Sequence, residues 1–281
     1  MKLRPILPLS LLFFAVACGD AQRPEPVTPS AAATAAPTTA GPAAHGAVDH
    51  VKVEAPAALR ELVAAADRSD ADKAMDAGRK PAEMLAFFGI APGQRVAEIA
   101  TGTGYTGELL ARAVGTGGRV FAHNNDFIVE KFAAKGWAER LATPANANVV
   151  KVVRPFEDPL PPEATGLDAV IVNLFYHDTF WFGVDRQKMN AAIAKALKPG
   201  GVYGIIDHSG RPGTGSSEAK TLHRVEESEV IKEVTAAGFS LVADADFLRN
   251  PNDTRDWSAS PGAAGERRGT SDRFVLKFVK P

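Results

Sequence analysis

One stretch constrains the fold of this chain more than any other. Val96-Ala97-Glu98-Ile99-Ala100-Thr101-Gly102-Thr103-Gly104-Tyr105-Thr106-Gly107 passes from an apolar, strand-like run through a glycine turn into a helical pattern. Glycines at such a turn let another molecule approach the backbone, and a helix that opens there offers unpaired N–H groups to an anion. A strand that feeds a helix in this way must return through a crossover to a parallel neighbour, which commits the chain to an α/β layer architecture.

The rest of the sequence repeats the pattern. Strand-like runs fall at residues 95–100, 119–123, 149–153, 168–174, 202–207, 239–243 and 274–279, and helical periodicity falls between them at 105–114, 127–141, 185–197 and 225–237. Two short amphipathic helices, 57–66 and 81–88, precede the first strand, with Pro81 suited to a first helical turn. The alternation predicts a Rossmann-like, doubly wound, mainly parallel sheet of seven strands with helices on both faces.

Gly102, Gly104 and Gly107 satisfy G-x-G-x-x-G, the spacing also used for dinucleotides, so the glycines alone leave the ligand open. The context narrows it. Glu98 stands ahead of the glycines, Gly118-Arg119-Val120 opens the second strand, Leu197-Lys198-Pro199-Gly200-Gly201 precedes the fifth, and an apolar run at 274–279 ends the chain. On these residues the span from 79 to 281 resembles class I S-adenosylmethionine-dependent methyltransferases. Phe175-Tyr176-His177-Asp178, Leu248-Arg249-Asn250-Pro251 and Asp272-Arg273-Phe274 are similar to a group of uncharacterised bacterial predicted methyltransferases.

The resemblance implies a C-terminal strand inserted antiparallel between the fifth and sixth, and S-adenosylmethionine as cofactor. Backbone from Ala100 through Thr101 and Gly102 to Gly104 would hold its methionine end, and Glu98 would orient its amino group. Glu157 or Asp158 would accept from the adenine amine, and Asn173 would line the sulfonium side. Two positions depart from the family pattern: Ala100 replaces a glycine, and Asn124 stands where a carboxylate is expected to grip the ribose, with Asp126 a step beyond. In such a sheet the ligand lies beyond the carboxyl ends of the strands. That places His177 first as general base, His208 and Tyr176 next, and Asp178 as an orienting group. The set His177, Asp178, Asp207 and His208 lacks tight metal-ligand spacing, so no metal is expected. Phe175, Tyr176, Phe180, Trp181 and Phe182 suit either an apolar pocket wall or core packing. Segments 209–219 and 250–270, rich in glycine and polar residues, suit lids. Arg68 and Arg79 suit either cofactor contact or solvent.

The N-terminus reads as an export signal. Lys2 and Arg4 precede an apolar run from Ile6 to Ala17, too short to span a bilayer. Ala15-Val16-Ala17-Cys18-Gly19 resembles a bacterial lipobox, which makes residues 1–17 a signal peptide and Cys18 an acylated first residue. Residues 18–54 read as an Ala/Pro/Thr tether and 55–281 as the folded domain. Cys18 is the single cysteine, so an intrachain disulfide is excluded. The formal charge of −1 nominates no nucleic acid, and the lipid would be the membrane contact. The expected location is the bacterial envelope, on the periplasmic side. The expected function is methyl transfer to a small or medium organic acceptor. The competing readings are a catalytically inactive ligand-binding or structural lipoprotein and an NAD(P)-dependent oxidoreductase.

Overall fold

The structure is a computed structural model and describes residues 48–281. Cys18 and the segment expected to be the signal peptide lie outside the described residues. Eight strands form one sheet: β1 (Asp49–Val51), β2 (Arg95–Ile99), β3 (Arg119–Asn124), β4 (Val149–Val153), β5 (Leu167–Asn173), β6 (Leu197–His208), β7 (Ser240–Ala245) and β8 (Arg273–Val279). Their order is β1-β7-β8-β6-β5-β2-β3-β4. All pairings are parallel except those of β8, which runs antiparallel between β6 and β7. The expected insertion of the last strand is therefore present.

The described residues add one short strand to the expected seven. β1 lies within the segment read as tether and pairs with β7, with Asp49 opposite Ala243 and Val51 opposite Ala245. At three residues it is too short to show alternation, and only its pairing partner gives it a strand's conformation.

Period-two alternation sorts the strand side chains onto two faces. Val96, Val120, Ala169, Ile171, Ile206 and Val275 meet helices Pro81–Phe88 and Tyr105–Val114 on one face. Ala97, Phe121, Val170, Val172, Ile205 and Leu276 meet Trp137, Ile193 and Val234 on the other. Burial on both sides explains why these strands read as continuous apolar runs. The expected helix 127–141 is interrupted by a π-helical turn, Val129–Ala133.

A helix that the periodicity did not reveal, Asp70–Arg79, precedes Pro81–Phe88. It starts at Ser69, whose hydroxyl accepts from Asp72 N at 3.1 Å, and carries Asp70 and Asp72 in its first turn. Its low apolar content hid it, because what it covers is polar.

Candidate functional site

Strand β2 leads outward to β3 and β4 before the chain returns to β5 beside it, so the strand order reverses between the parallel strands β2 and β5. Loops at the carboxyl ends part there and leave a crevice. Glu98 and Asn173 share the face that meets helix Tyr105–Val114, and each reaches its first turn. Asn173 Nδ2 donates to Thr106 Oγ1 at 2.9 Å, while the Thr101 hydroxyl donates to Glu98. A Cβ on Gly107 would stand 3.0 Å from Thr101 Oγ1 and 3.2 Å from Glu98 Oε2, so the bare glycine makes room for this carboxyl. Burial raises the Glu98 pKa to about 7, against the lowering effect of the Thr101 and Thr106 hydroxyls.

The turn above it is left-handed at Ala100 (φ 59°), Gly102 (φ 58°) and Gly104 (φ 89°). Ala100 thus adopts the glycine conformation despite its Cβ, at a cost of about 1–2 kcal/mol. Nothing lies within 4 Å of where a Cβ on Gly102 would stand. Gly104 is covered: a Cβ there would meet Arg140 Cδ at 2.8 Å. Arg140 donates to Thr103 O (2.7 Å), Asp72 Oδ2 (2.7 Å) and Glu108 Oε2 (2.6 Å), which ties helix Asp70–Arg79 to the turn. Asp76 adds a second tie, accepting from Arg68 at 2.6 and 2.9 Å and from the Tyr105 hydroxyl at 2.6 Å.

The structure redirects Asn124. Its Oδ1 accepts from Gly102 N at 2.9 Å, its Nδ2 donates to Gly102 O at 3.0 Å, and it is fully buried. It serves as a side-chain strand partner for the turn. His123 beside it is also internal: Nε2 pairs with Arg154 O at 2.9 Å, and burial lowers its pKa to about 4. Glu157 accepts from Asp185 N at 3.1 Å, and Asp158 is ion-paired with Arg154 at the surface. Phe156 stacks on Phe175 next to them, at 5.1 Å between centroids.

A cavity of about 480 Å³ opens at the ends of β5 and β6, walled by helix Asp70–Arg79 and the segment before β8. Leu174, His208, Arg79, Arg268 and Arg273 line it, and among the described lining residues none is acidic. The Arg79 guanidinium lies over the Tyr105 ring, 4.4 Å from its centroid. Burial, and then the charge of Arg79, lower the Arg273 pKa to about 10. Burial and nearby cations hold His208 well below the usual imidazole range, so it is neutral. Its Nδ1 pairs with Ser271 Oγ at 2.7 Å, which leaves Nε2 for the cavity.

Asp207 and His208 are consecutive and so face opposite sides of the sheet. Asp207 meets the helix Tyr176–Trp181, accepting from His177 N and pairing with His177 Nδ1, each at 2.6 Å. Burial opposes charge on His177, but Asp207 and Asp178 raise its pKa to about 10. His177, expected first as general base, is thus paired with a carboxylate through each ring nitrogen. Tyr176 is buried in the core, where its hydroxyl bonds Glu233 and Asn190 at 3.0 Å each. Asp178 Oδ1 accepts from Trp181 Nε1 at 2.7 Å and lies 3.2 Å from His177 Nε2, and these contacts keep its carboxyl well below the usual range despite burial. His223, distant in sequence, joins this group, with its Nδ1 3.2 Å from His177 Nε2.

The segment 250–270, expected to be a lid, is pinned. Arg224 and Asp253 form a fully buried ion pair at 2.8 Å, and Asp253 also accepts from Asp272 N and Trp257 Nε1.

No protein-family model and no curated protein matches the chain. Solved structures do. A S-adenosylmethionine-dependent methyltransferase from Aquifex aeolicus is similar with a TM-score of 0.51 and 19% identity, covering 71% of this chain and 89% of that one. A methyltransferase in complex with the Trm112 methyltransferase activator from Haloferax volcanii reaches a TM-score of 0.52 and 24% identity, over 75% and 93%. The cyclase SpnF reaches a TM-score of 0.53 and 17% identity, over 80% and 92%. At these identities the likeness establishes the fold, that of class I methyltransferases, and the presence of a cyclase among them leaves the chemistry to the site.

Proposed function

We propose that this protein binds S-adenosylmethionine in the crevice between β2 and β5 and transfers a methyl group to a small anionic acceptor in the arginine-lined cavity. One observation carries the reading: a buried carboxyl, Glu98, lies beneath a left-handed glycine turn that is open at Gly102. The residues present fit the methionine end of the cofactor. Glu98 can pair with an ammonium group, and the turn leads into the N-terminus of helix Tyr105–Val114. When bound, the cofactor would supply an electrophilic methyl group. The chain supplies the rest. Arg79, Arg268 and Arg273 would hold a carboxylate or phosphate on the acceptor. His208 Nε2, neutral and facing the cavity, would take the proton that an O–H or N–H acceptor gives up.

Thermal-shift measurements with S-adenosylhomocysteine, S-adenosylmethionine, NAD and NADP test the cofactor assignment. Stabilisation by the first two alone supports it, and no response to them overturns it. His208→Ala should lower turnover of an acceptor about 10²- to 10⁴-fold with unchanged S-adenosylhomocysteine affinity.

Asn124 supports a second reading, a domain that keeps the fold and binds a ligand without turnover, because its amide is spent on Gly102 and offers no charged grip for a ribose. The same feature weighs against a nicotinamide cofactor, which uses a carboxylate at this strand end. Single-turnover assays with radiolabelled S-adenosylmethionine separate turnover from binding alone. We further propose export and lipid anchoring through Cys18, supported by the lipobox-like sequence.

A further inference from the structure

We infer that His177, Asp178 and His223 form a binding site for a divalent transition-metal ion, with the His177 ring 5.6 Å from that of the cavity-lining His208. The ligand atoms are already gathered. His177 Nε2, Asp178 Oδ1 and His223 Nδ1 lie 3.2 Å apart along every edge, a nearly equilateral triangle. Zinc binds imidazole nitrogen and carboxylate oxygen at about 2.0–2.2 Å, which separates tetrahedral ligands by about 3.3–3.5 Å. An ion held by these three atoms would sit about 1 Å above their plane, with little movement of the side chains.

The surroundings suit such a site. A ligating histidine needs its second nitrogen fixed so that the first keeps its direction. Asp207, fully buried, does this for His177: Oδ1 pairs with His177 Nδ1 and Oδ2 accepts from the His177 backbone N–H. Trp181 Nε1 orients Asp178 in the same way. His223 enters from the end of helix Ala219–Leu222 in a left-handed conformation (φ 52°), which turns its ring toward the other two. Side-chain exposure rises from 3% at His177 through 15% at Asp178 to 23% at His223, so an ion and a water ligand have an entry path beside His223. Two imidazoles and one carboxylate are borderline donors, a set that favours zinc or another late divalent ion over magnesium or calcium.

The proposal does not depend on methyl transfer, and its test needs no activity. Full-length protein is stripped with a chelator, then titrated calorimetrically with zinc chloride, and its metal content is measured after dialysis. One zinc per chain is expected. His223→Gly, which tolerates the positive φ, should weaken binding on the order of 100-fold or more, and Asp207→Asn about 10- to 100-fold. His223→Asp, which returns an oxygen ligand, should recover most of the affinity lost in the glycine variant. His50→Ala controls for the exposed His50–Asp244 pair and should bind as the wild type does. Failure of the wild type to take up zinc overturns the proposal. Equal binding by wild type and His223→Gly does so too, as does loss of binding in His50→Ala.

Discussion

Glu98 couples the stability of this protein to pH in a direction that its surroundings dictate. In the unfolded chain its carboxyl titrates near 4.5, whereas burial in the fold holds the proton until about pH 7. The folded state therefore binds the proton more tightly. The stabilisation is fully present below about pH 4.5, declines as pH rises through the window up to 7, and has gone above it. A displacement from 4.5 to about 7 corresponds to about 3 kcal/mol. Glu98→Gln keeps the shape and an oxygen for the Thr101 hydroxyl but cannot ionise. Its new amide N–H needs an acceptor, which offsets about 1 kcal/mol. At pH 8 the variant should be about 2 kcal/mol more stable than the wild type, and at pH 4 equal or slightly weaker. Urea unfolding of both proteins across that range measures the difference. Parallel pH profiles would refute the reasoning, because they would mean that water reaches Glu98 in the folded state. The functional counterpart has the opposite sign: an ammonium group bound at Glu98 favours the ionised carboxyl, so the variant should lose S-adenosylhomocysteine affinity as it gains stability.

Ala100→Gly removes a Cβ from a left-handed residue, and after the added freedom of the unfolded chain it should still gain about 0.5–1 kcal/mol, a rise of about 1–3 °C in Tm by calorimetry. Asn124→Asp replaces the N–H that donates to Gly102 O with a second acceptor, so it should destabilise the fold by about 1–3 kcal/mol in urea titrations and should not tighten S-adenosylhomocysteine binding. Cys18→Ala should shift the protein from the membrane fraction to the soluble fraction or block its processing, and equal retention with equal mass would count against the anchor.

The seven strands were legible because parallel strands buried on both faces carry their own apolar signal, and the antiparallel insertion was implied by the resemblance. The end of β2 near Glu98 was legible because the glycines mark where a strand gives way to a helix, whereas the roles of Glu98 and Asn173 were implied by the resemblance. The metal-ligand triangle was not. His223 lies far from His177 in sequence, and only the approach of helix Ala219–Leu222 to Tyr176–Trp181 brings the two rings together. Charge state was equally hidden: His177 and His208 look alike in the sequence, yet one is held between two carboxylates and the other is buried beside His177 and two arginines. The ribose role of Asn124 was implied by the resemblance, and the two bonds its amide makes to Gly102 had no signal in the sequence.

Helix Asp70–Arg79 has a kinetic consequence. One side of it reaches the glycine turn through Asp72 and Arg140, and another forms the cavity wall with Ala74, Met75 and Arg79. Two ligands that share a wall do not exchange independently, since any displacement that admits the first also reshapes the enclosure of the second. Association should therefore be sequential, with the ligand on the turn captured before the one in the cavity. Each should tighten the equilibrium binding of the other by the same factor.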